Sequence, residues 1–360
     1  MPRPIHAVVL AGGAGERFWP RSRRHRPKPF LALSGGATLL EATLSRARRF
    51  AGTDRVWIVC GPEHARAVRA GCRLARGRVL VEPRRRNTAM AVGLAAARIA
   101  AEDPDAVLAV LPADHRIPDA RAFAAAIRRA ADAAAGASAL VTLGVQPTRP
   151  DTGYGYIEAG AAAGAGFPGL RRVKRFVEKP DLARARRFLR RGGFFWNAGI
   201  FVWTARTILD EIEACAPELH RALAPIRKRP RGAGSAAARE SAYRRAPSVP
   251  IDIAVLERSR RVWTLPVAFH WSDVGTWLSL AEELGVDASR SHVIAGESIL
   301  EDARGNLVWG DDGRLIALLG VSGLAVIDAG DALLVAKLDS SPDVRRIVGE
   351  LRRRRRGDLT

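Results

Sequence analysis

The chain has 360 residues, 48% of them hydrophobic and 26% charged, the balance of a folded protein with room for about two or three cores. A formal net charge of +21 raises nucleic acid as a partner, but the arginines are spread along the sequence without aromatic interleaving or a nucleic-acid motif, so none is expected. No apolar run reaches the about 18 residues of a membrane span, no signal-peptide pattern opens the chain, and Cys60, Cys72 and Cys215 fit neither a disulfide framework nor a metal site; a cytoplasmic protein with buried thiols and no membrane partner is expected.

Apolar runs at 5–10, 55–60, 78–82, 106–112 and 139–145 alternate with alanine-rich helical segments at 37–50, 62–75, 87–102 and 119–135. Continuous apolar strands separated by helices predict a Rossmann-like, doubly wound and mainly parallel α/β sheet covered on both faces. From 150 onward the pattern is mixed, with strands predicted at 154–159, 171–178, 198–203 and 262–266 and helices at 181–191, 205–215 and 275–284. Residues 227–247, rich in Arg, Ala, Gly and Ser, read as a surface helix pair or a mobile loop without a function. Short β runs then fill 290–337, with a tight turn expected at Asp312-Gly313, and residues 342–356 form a basic helix that reads as a solvated tail. The expected domains are 1–288, an α/β catalytic domain, and 289–360, a small β domain with a terminal helix.

Only five of the 58 basic residues are lysines. A lysine kept against that bias marks a place that needs a compact point charge instead of a planar fork, and Lys28 and Lys179 both lie in distinctive segments. The first is VVLAGGAGERFWPRSRRHRPKPF, residues 8–30, directly after the first strand. Gly12, Gly13 and Gly15 let backbone amides approach an anion, while Arg17 and Lys28 bring positive charge to it. A Walker loop needs a Lys-Ser or Lys-Thr that is missing here, and a dinucleotide fingerprint needs a third glycine where Arg17 stands. Asp114, in LPADH at 111–115, follows a strand and so belongs at the carboxyl edge of the sheet, where ligands of such folds bind. Beside an anion-binding loop it reads as a metal ligand. Asn197, a lone amide in the aromatic run FFWNAGIFVW, needs hydrogen-bond partners if buried, and sugar hydroxyls would serve. Glu178 and Lys179 can face one ligand only from an irregular strand end.

The 8–30 segment resembles the signature of the mannose-1-phosphate guanylyltransferases within the nucleotidyltransferase family. The resemblance continues in family order through EPRRRNTAMA (82–91), LPADH, GYGYIE (153–158), FVEKP (176–180), FFWNAGIFVW (194–203), PIDIAVLE (250–257) and WSDVGTW (271–277). Ala198 replaces the family's usual Ser and Met90 its usual Pro. The resemblance implies a GT-A-like catalytic domain, a left-handed β-helix-like C-terminal domain and a homodimer. It implies transfer from GTP to mannose 1-phosphate, giving GDP-mannose and pyrophosphate. Leu10, Ala11, Gly12, Gly13, Gly15, Glu16, Arg17, Lys28, Asn87, Thr88 and Asp114 would then bind the nucleotide, with Asn87 and Thr88 by the base. Gly153, Tyr154, Gly155, Glu178, Lys179 and Asn197 would bind the sugar phosphate. Arg17, Lys28, Lys179, Asp114 and Asp273 would carry catalysis, the two aspartates by holding Mg²⁺. The alternatives are a thymidylyl- or adenylyltransferase of the same class, or a non-catalytic sugar-nucleotide sensor. An appended isomerase domain, present in longer relatives, is not expected in a chain ending at 360.

Overall fold

The computed structural model describes residues 3–13, 15–33, 36–75, 77–232, 234–311 and 313–360. They form two compact units, each discontinuous in sequence. One comprises Met1–Gly12, Thr43–Pro112 and Ile117–Trp271; the other comprises Gly13–Ala42, Ala113–Arg116 and Ser272–Thr360. The glycine-rich segment thus shares a compact unit with the C-terminal residues.

The first unit is built on strands β1 (Ile5–Leu10), β2 (Val56–Cys60), β3 (Val79–Val81), β4 (Val107–Pro112), β5 (Leu140–Val145), β6 (Tyr156–Ala162), β7 (Arg171–Val177), β8 (Phe194–Thr204) and β9 (Val262–Val267). Their order is β3-β2-β1-β4-β8-β5-β9-β7-β6, with β8 also pairing β6. The pairs among β3, β2, β1 and β4 are parallel, as the apolar runs predict. On one face Val8, Leu108 and Val110 join a core with the helices Asn87–Ala100, Ala205–Cys215 and Pro217–Lys228; their neighbours Val9 and Ala109 are also fully buried. Both faces are covered, so hydrophobicity does not alternate.

The remainder of the sheet corrects the mainly parallel expectation. β8 runs antiparallel to β4, β5 and β6, and β7 is antiparallel to β6 and β9; only β5–β9 is parallel there. β8 serves so many partners because it is long and carries a bulge. Thr142 faces Phe201 and Gly144 faces Asn197, so Ala198-Gly199 bulges out, with Gly199 at φ +65°. Segment 227–247 resolves into the end of Pro217–Lys228 and the helix Ser235–Arg245, whose Tyr243 is fully buried.

In the second unit, β10 (His292–Val293), β12 (Leu307–Trp309) and β14 (Leu324–Asp328) stack in parallel, as do the intervening β11 (Ser298–Glu301) and β13 (Ile316–Leu319); β15 (Leu333–Lys337) closes antiparallel on β14. Successive strands thus alternate between two sheets, the connectivity of a β-helix. Asp312 of the expected Asp-Gly turn lies outside the described residues. The core unites Phe18, Trp19 and Leu31 with Val274, Trp277, Leu307, Trp309, Val344 and Val348.

The solvated-tail reading is also corrected. Val344 and Val348 of the terminal helical segment are buried, Trp19 Nε1 donates to the Leu359 carbonyl at 2.8 Å, and Arg352 pairs with Glu16. No helix among the described residues is long and apolar enough to cross a membrane.

Trp277 is fully buried, 4.6 Å from the Phe18 ring and hydrogen-bonded through Nε1 to the Trp19 carbonyl at 3.1 Å. Trp277→Ala should lower unfolding free energy by about 3–5 kcal/mol. A loss below about 1 kcal/mol in urea unfolding would remove it from the core.

Candidate active site

Within the second unit, Gly15, Glu16, Arg17, Phe18, Lys28, Asp114, His115, Asp273, Gly275 and Arg345 line one cavity of about 410 Å³. Lys28 begins a short 3₁₀ turn, Lys28–Phe30, whose Pro27 cap fixes the entry of the chain. It is 5% exposed; its Nζ donates to Asp114 Oδ2 at 2.8 Å and to the Asp273 carbonyl at 2.6 Å, and lies 5.6 Å from the Phe18 ring centroid. Gly15 makes this possible: at φ +63°, a Cβ there would sit 2.4 Å from Lys28 Cβ and 3.0 Å from its backbone nitrogen. The LPADH and WSDVG segments are brought together by a backbone bridge in which Arg116 and Ser272 exchange hydrogen bonds of 2.9 and 3.1 Å. Arg116 is held in turn by Glu283 at 2.9 Å.

Burial opposes ionisation of Asp114, but the charge of Lys28, with help from His115 and the Lys28 hydrogen bond, outweighs it and holds the carboxyl below its ordinary pKa. Asp114 therefore stays a carboxylate across neutral pH. Val274, directly after Asp273, has φ +43°, an outlying conformation for a β-branched residue and the kind of strain that collects at functional sites. Two carboxylates at one cavity suit a hard, oxygen-seeking ion such as Mg²⁺. Among the described residues no group of three His, Cys, Asp or Glu could hold a metal. Glu16 lines the cavity but is engaged by Arg352. Arg17 is exposed.

Leu10, Ala11 and Gly12 belong to the first unit, as do the expected base and sugar residues. Leu10 ends β1, and the Ala11 amide donates to the Val59 carbonyl at 2.8 Å. Asn87 opens its helix at φ +60°, with its own Oδ1 accepting from the Thr88 amide at 2.9 Å, so it is not an ordinary N-cap. Thr88 Oγ1 accepts from the Ile251 amide at 2.9 Å, tying EPRRRNTAMA to PIDIAVLE.

Of the residues expected at the sugar phosphate, Lys179 has φ +46° and its Nζ meets Glu178 Oε1 at 2.6 Å; the irregular strand end that adjacent residues require is present. Gly155 lies against Glu178, whose Oε2 would be 2.6 Å from a Cβ there, and its carbonyl accepts from the Asn197 amide at 2.8 Å. The Asn197 side chain sits within the β8 bulge. Its Oδ1 accepts from Thr142 Oγ1 at 2.8 Å and from the Gly199 amide at 3.1 Å, and its Nδ2 donates to Asp252 Oδ1 at 2.8 Å. Protein groups thus take up most of its hydrogen-bonding capacity. Tyr154 packs edge-on against Trp196 and Trp271, at 5.0 and 5.3 Å; Gly153 is held by its amide to Asp151 Oδ1 at 2.8 Å.

Three residues escaped the sequence reading. Asp252 begins a π-helical turn, Asp252–Leu256, and burial together with the Glu178 charge raises its pKa to about 6. A lone Asp in the apolar run PIDIAVLE was the available signal. Glu82 is 8% exposed, accepts from Tyr243 Oη at 3.0 Å through Oε1, and has Oε2 3.4 Å from where a Gly12 Cβ would be. Burial raises its pKa to about 7. Arg345, hidden in the arginine-rich tail, reaches the cavity of Lys28.

A model described as nucleotidyl transferase matches residues 6–289, and one described as a MannoseP isomerase/GMP-like beta-helix domain matches 296–351. The alginate biosynthesis protein AlgA of Pseudomonas aeruginosa is 38% identical over 96% of this chain and 71% of its own length. The mannose-1-phosphate guanylyltransferase RfbM of Salmonella typhimurium is 36% identical over 98% of this chain and 73% of its own. A crystal structure of a mannose-1-phosphate geranyltransferase from Thermus thermophilus aligns with TM-score 0.88 and 37% identity, covering 98% of this chain and 100% of that one.

The folded protein keeps Glu82 protonated to about pH 7, whereas an unperturbed carboxyl loses its proton near 4.5, so this group makes stability fall as pH rises between those values. Glu82→Gln retains the acceptor for Tyr243 without the buried charge. It should exceed the parent in stability at pH 8, by on the order of 3 kcal/mol, and lose most of that advantage at pH 5. Urea unfolding at the two pH values checks this; an equal difference at both contradicts the burial of an ionisable Glu82.

Proposed function

The chain belongs to the nucleotidyl transferase family, and we propose that it transfers the guanylyl group of GTP to mannose 1-phosphate, releasing pyrophosphate and GDP-mannose. The observation that carries this reading is the Lys28 ammonium fixed between Asp114 and Asp273 in a cavity that also receives Gly15 and Arg17. The relatives' names add the sugar and the base.

A sugar-phosphate oxygen is already anionic, so it attacks the α-phosphorus without a general base. The bond from that phosphorus to the β,γ-pyrophosphate breaks, and its electron pair leaves on pyrophosphate. The protein's work is alignment and charge neutralisation. Arg17 and Lys28 meet the departing charge, and Lys179 orients the attacking phosphate. Asp114 and Asp273 would hold Mg²⁺, which supplies neutralisation and polarisation of phosphate oxygens when bound. Glu178 serves as an acceptor for sugar hydroxyls, with Asn197 setting the backbone of that segment. Asn87, Thr88 and Glu82 lie on the base side. The cytoplasm, which supplies nucleoside triphosphates and hexose phosphates, is the fitting compartment.

Pyrophosphate release measured with GTP, ATP, UTP and dTTP against mannose 1-phosphate and glucose 1-phosphate tests the reading. GTP with mannose 1-phosphate should be fastest, and no release with that pair rejects it. Preferred use of dTTP or ATP with glucose 1-phosphate would move the chain to a thymidylyl- or adenylyltransferase. Asp273→Asn should cut turnover by about a hundredfold or more with an unchanged unfolding curve; near-parental turnover removes Asp273 from the site.

We further propose a homodimer formed through the β-helical coils, whose Leu319, Val335, Leu333, Leu315 and Ile299 are 76, 58, 50, 49 and 48% exposed. Exposed large aliphatic side chains on neighbouring coils are what an association surface would cover. Leu319→Glu should convert the dimer to a monomer by light scattering; a monomeric parent, or an unchanged dimer, excludes this surface.

A further inference from the structure

We infer that Arg345, the first residue of the terminal helix Arg345–Arg353, binds the pyrophosphate leaving group; this rests on the transferase reading above. Arg345 lines the cavity that holds Lys28, Arg17, Asp114 and Asp273, although it lies outside the 6–289 stretch matched as nucleotidyl transferase.

The charges around that cavity show why a further cation is needed. Lys28 is neutralised by Asp114, and Glu16 by Arg352. Arg17 and Arg345 are the cavity cations that have no ionic or hydrogen-bonding partner among the described residues. Pyrophosphate leaves with several negative charges, and the α-phosphorus–oxygen bond gives up its electron pair to it. A planar guanidinium with several donors matches two phosphate oxygens at once.

The helix is placed to deliver that group. Residues 345, 348 and 352 share one face by helical spacing. Val348 on that face is 3% exposed in the core with Phe18, and Arg352 is paired with Glu16. The face carrying Arg345 is therefore turned to the glycine-rich segment. The preceding 3₁₀ stretch, Leu338–Val344, is pinned as well, since Ser341 Oγ accepts from the Leu278 amide at 3.0 Å. Arg345 and Arg352 are themselves exposed on this face, and Arg346 and Arg353 leave it by helical spacing.

The test uses the full chain in the reverse direction, with GDP-mannose and pyrophosphate as substrates. Arg345→Ala should raise KM for pyrophosphate about ten- to a hundredfold, the effect of losing a charged hydrogen-bond partner, and leave KM for GDP-mannose within about twofold. Arg345→Lys should recover part of the loss, and Arg346→Ala should match the parent. A merely structural role would move both KM values or kcat alike, and that result overturns the inference, as does a pyrophosphate KM within twofold of the parent. Calorimetric titration with inorganic pyrophosphate separates this from the choice of substrates. Arg345-dependent binding in a chain inactive on GTP and mannose 1-phosphate would sink the guanylyl reading and sustain Arg345, while binding indifferent to Arg345→Ala would sink the inference alone.

Discussion

The contact on which the cavity of the second unit depends is the part-buried ion pair of Lys28 and Asp114, at 2.8 Å, with the Asp273 carbonyl as second acceptor at 2.6 Å. It ties three segments far apart in sequence to one nitrogen atom. Neither charge is easily buried alone, because removing one partner leaves the other without compensation in a poorly hydrated place. Lys28 consequently does two things at once: it fixes the carboxylate edge of the cavity and brings a compact positive charge to its wall. A compact ammonium reaches the Asp114 carboxylate and the Asp273 carbonyl at once, a point-charge role that suits lysine. That explains a lysine in a chain that otherwise uses arginine almost everywhere.

The other unit solves a similar problem with neutral groups. Asn197 joins Thr142, the Gly199 amide and Asp252, so one amide holds a bulge in β8 and a carboxylate in the π-helical turn. Asp252 sits near Glu178, and their repulsion together with burial raises the Asp252 pKa to about 6. A network of this kind is intolerant of partial loss: an apolar replacement of Asn197 would leave both the Gly199 amide and Asp252 short of a partner.

The parallel half of the sheet was legible because burial on both faces leaves uninterrupted apolar runs at β1, β2 and β4, and the helices between them are long enough to show their period. The antiparallel half was legible only as separate strands. Its pairing hinges on β8, which exchanges neighbours along its length at the Ala198-Gly199 bulge, and no local pattern encodes which strand lies beside which. Lys28, Asp114 and Asp273 stood out because glycine turns, strand ends and rare residue types mark them. Glu82 did not, since its special environment comes from Tyr243, which is remote in sequence. Arg345 was concealed by composition: in an arginine-rich tail, charge alone distinguishes no residue from its neighbours.

The division of the chain follows from where the glycine-rich segment finds its core. Phe18, Trp19 and Leu31 pack with Trp277, Leu307, Trp309, Ala325, Ile327 and Val348, so the residues supporting Lys28 are covered by strands and a helix from beyond position 300. Arg352 on Glu16 and the Leu359 carbonyl on Trp19 extend the same dependence to the end of the sequence. The β-helical coils are therefore part of the scaffold that keeps Gly15 against Lys28. A cation in such a cavity is useful only if its position is fixed before the phosphate arrives, and here that fixing requires the C-terminal residues to be folded in place.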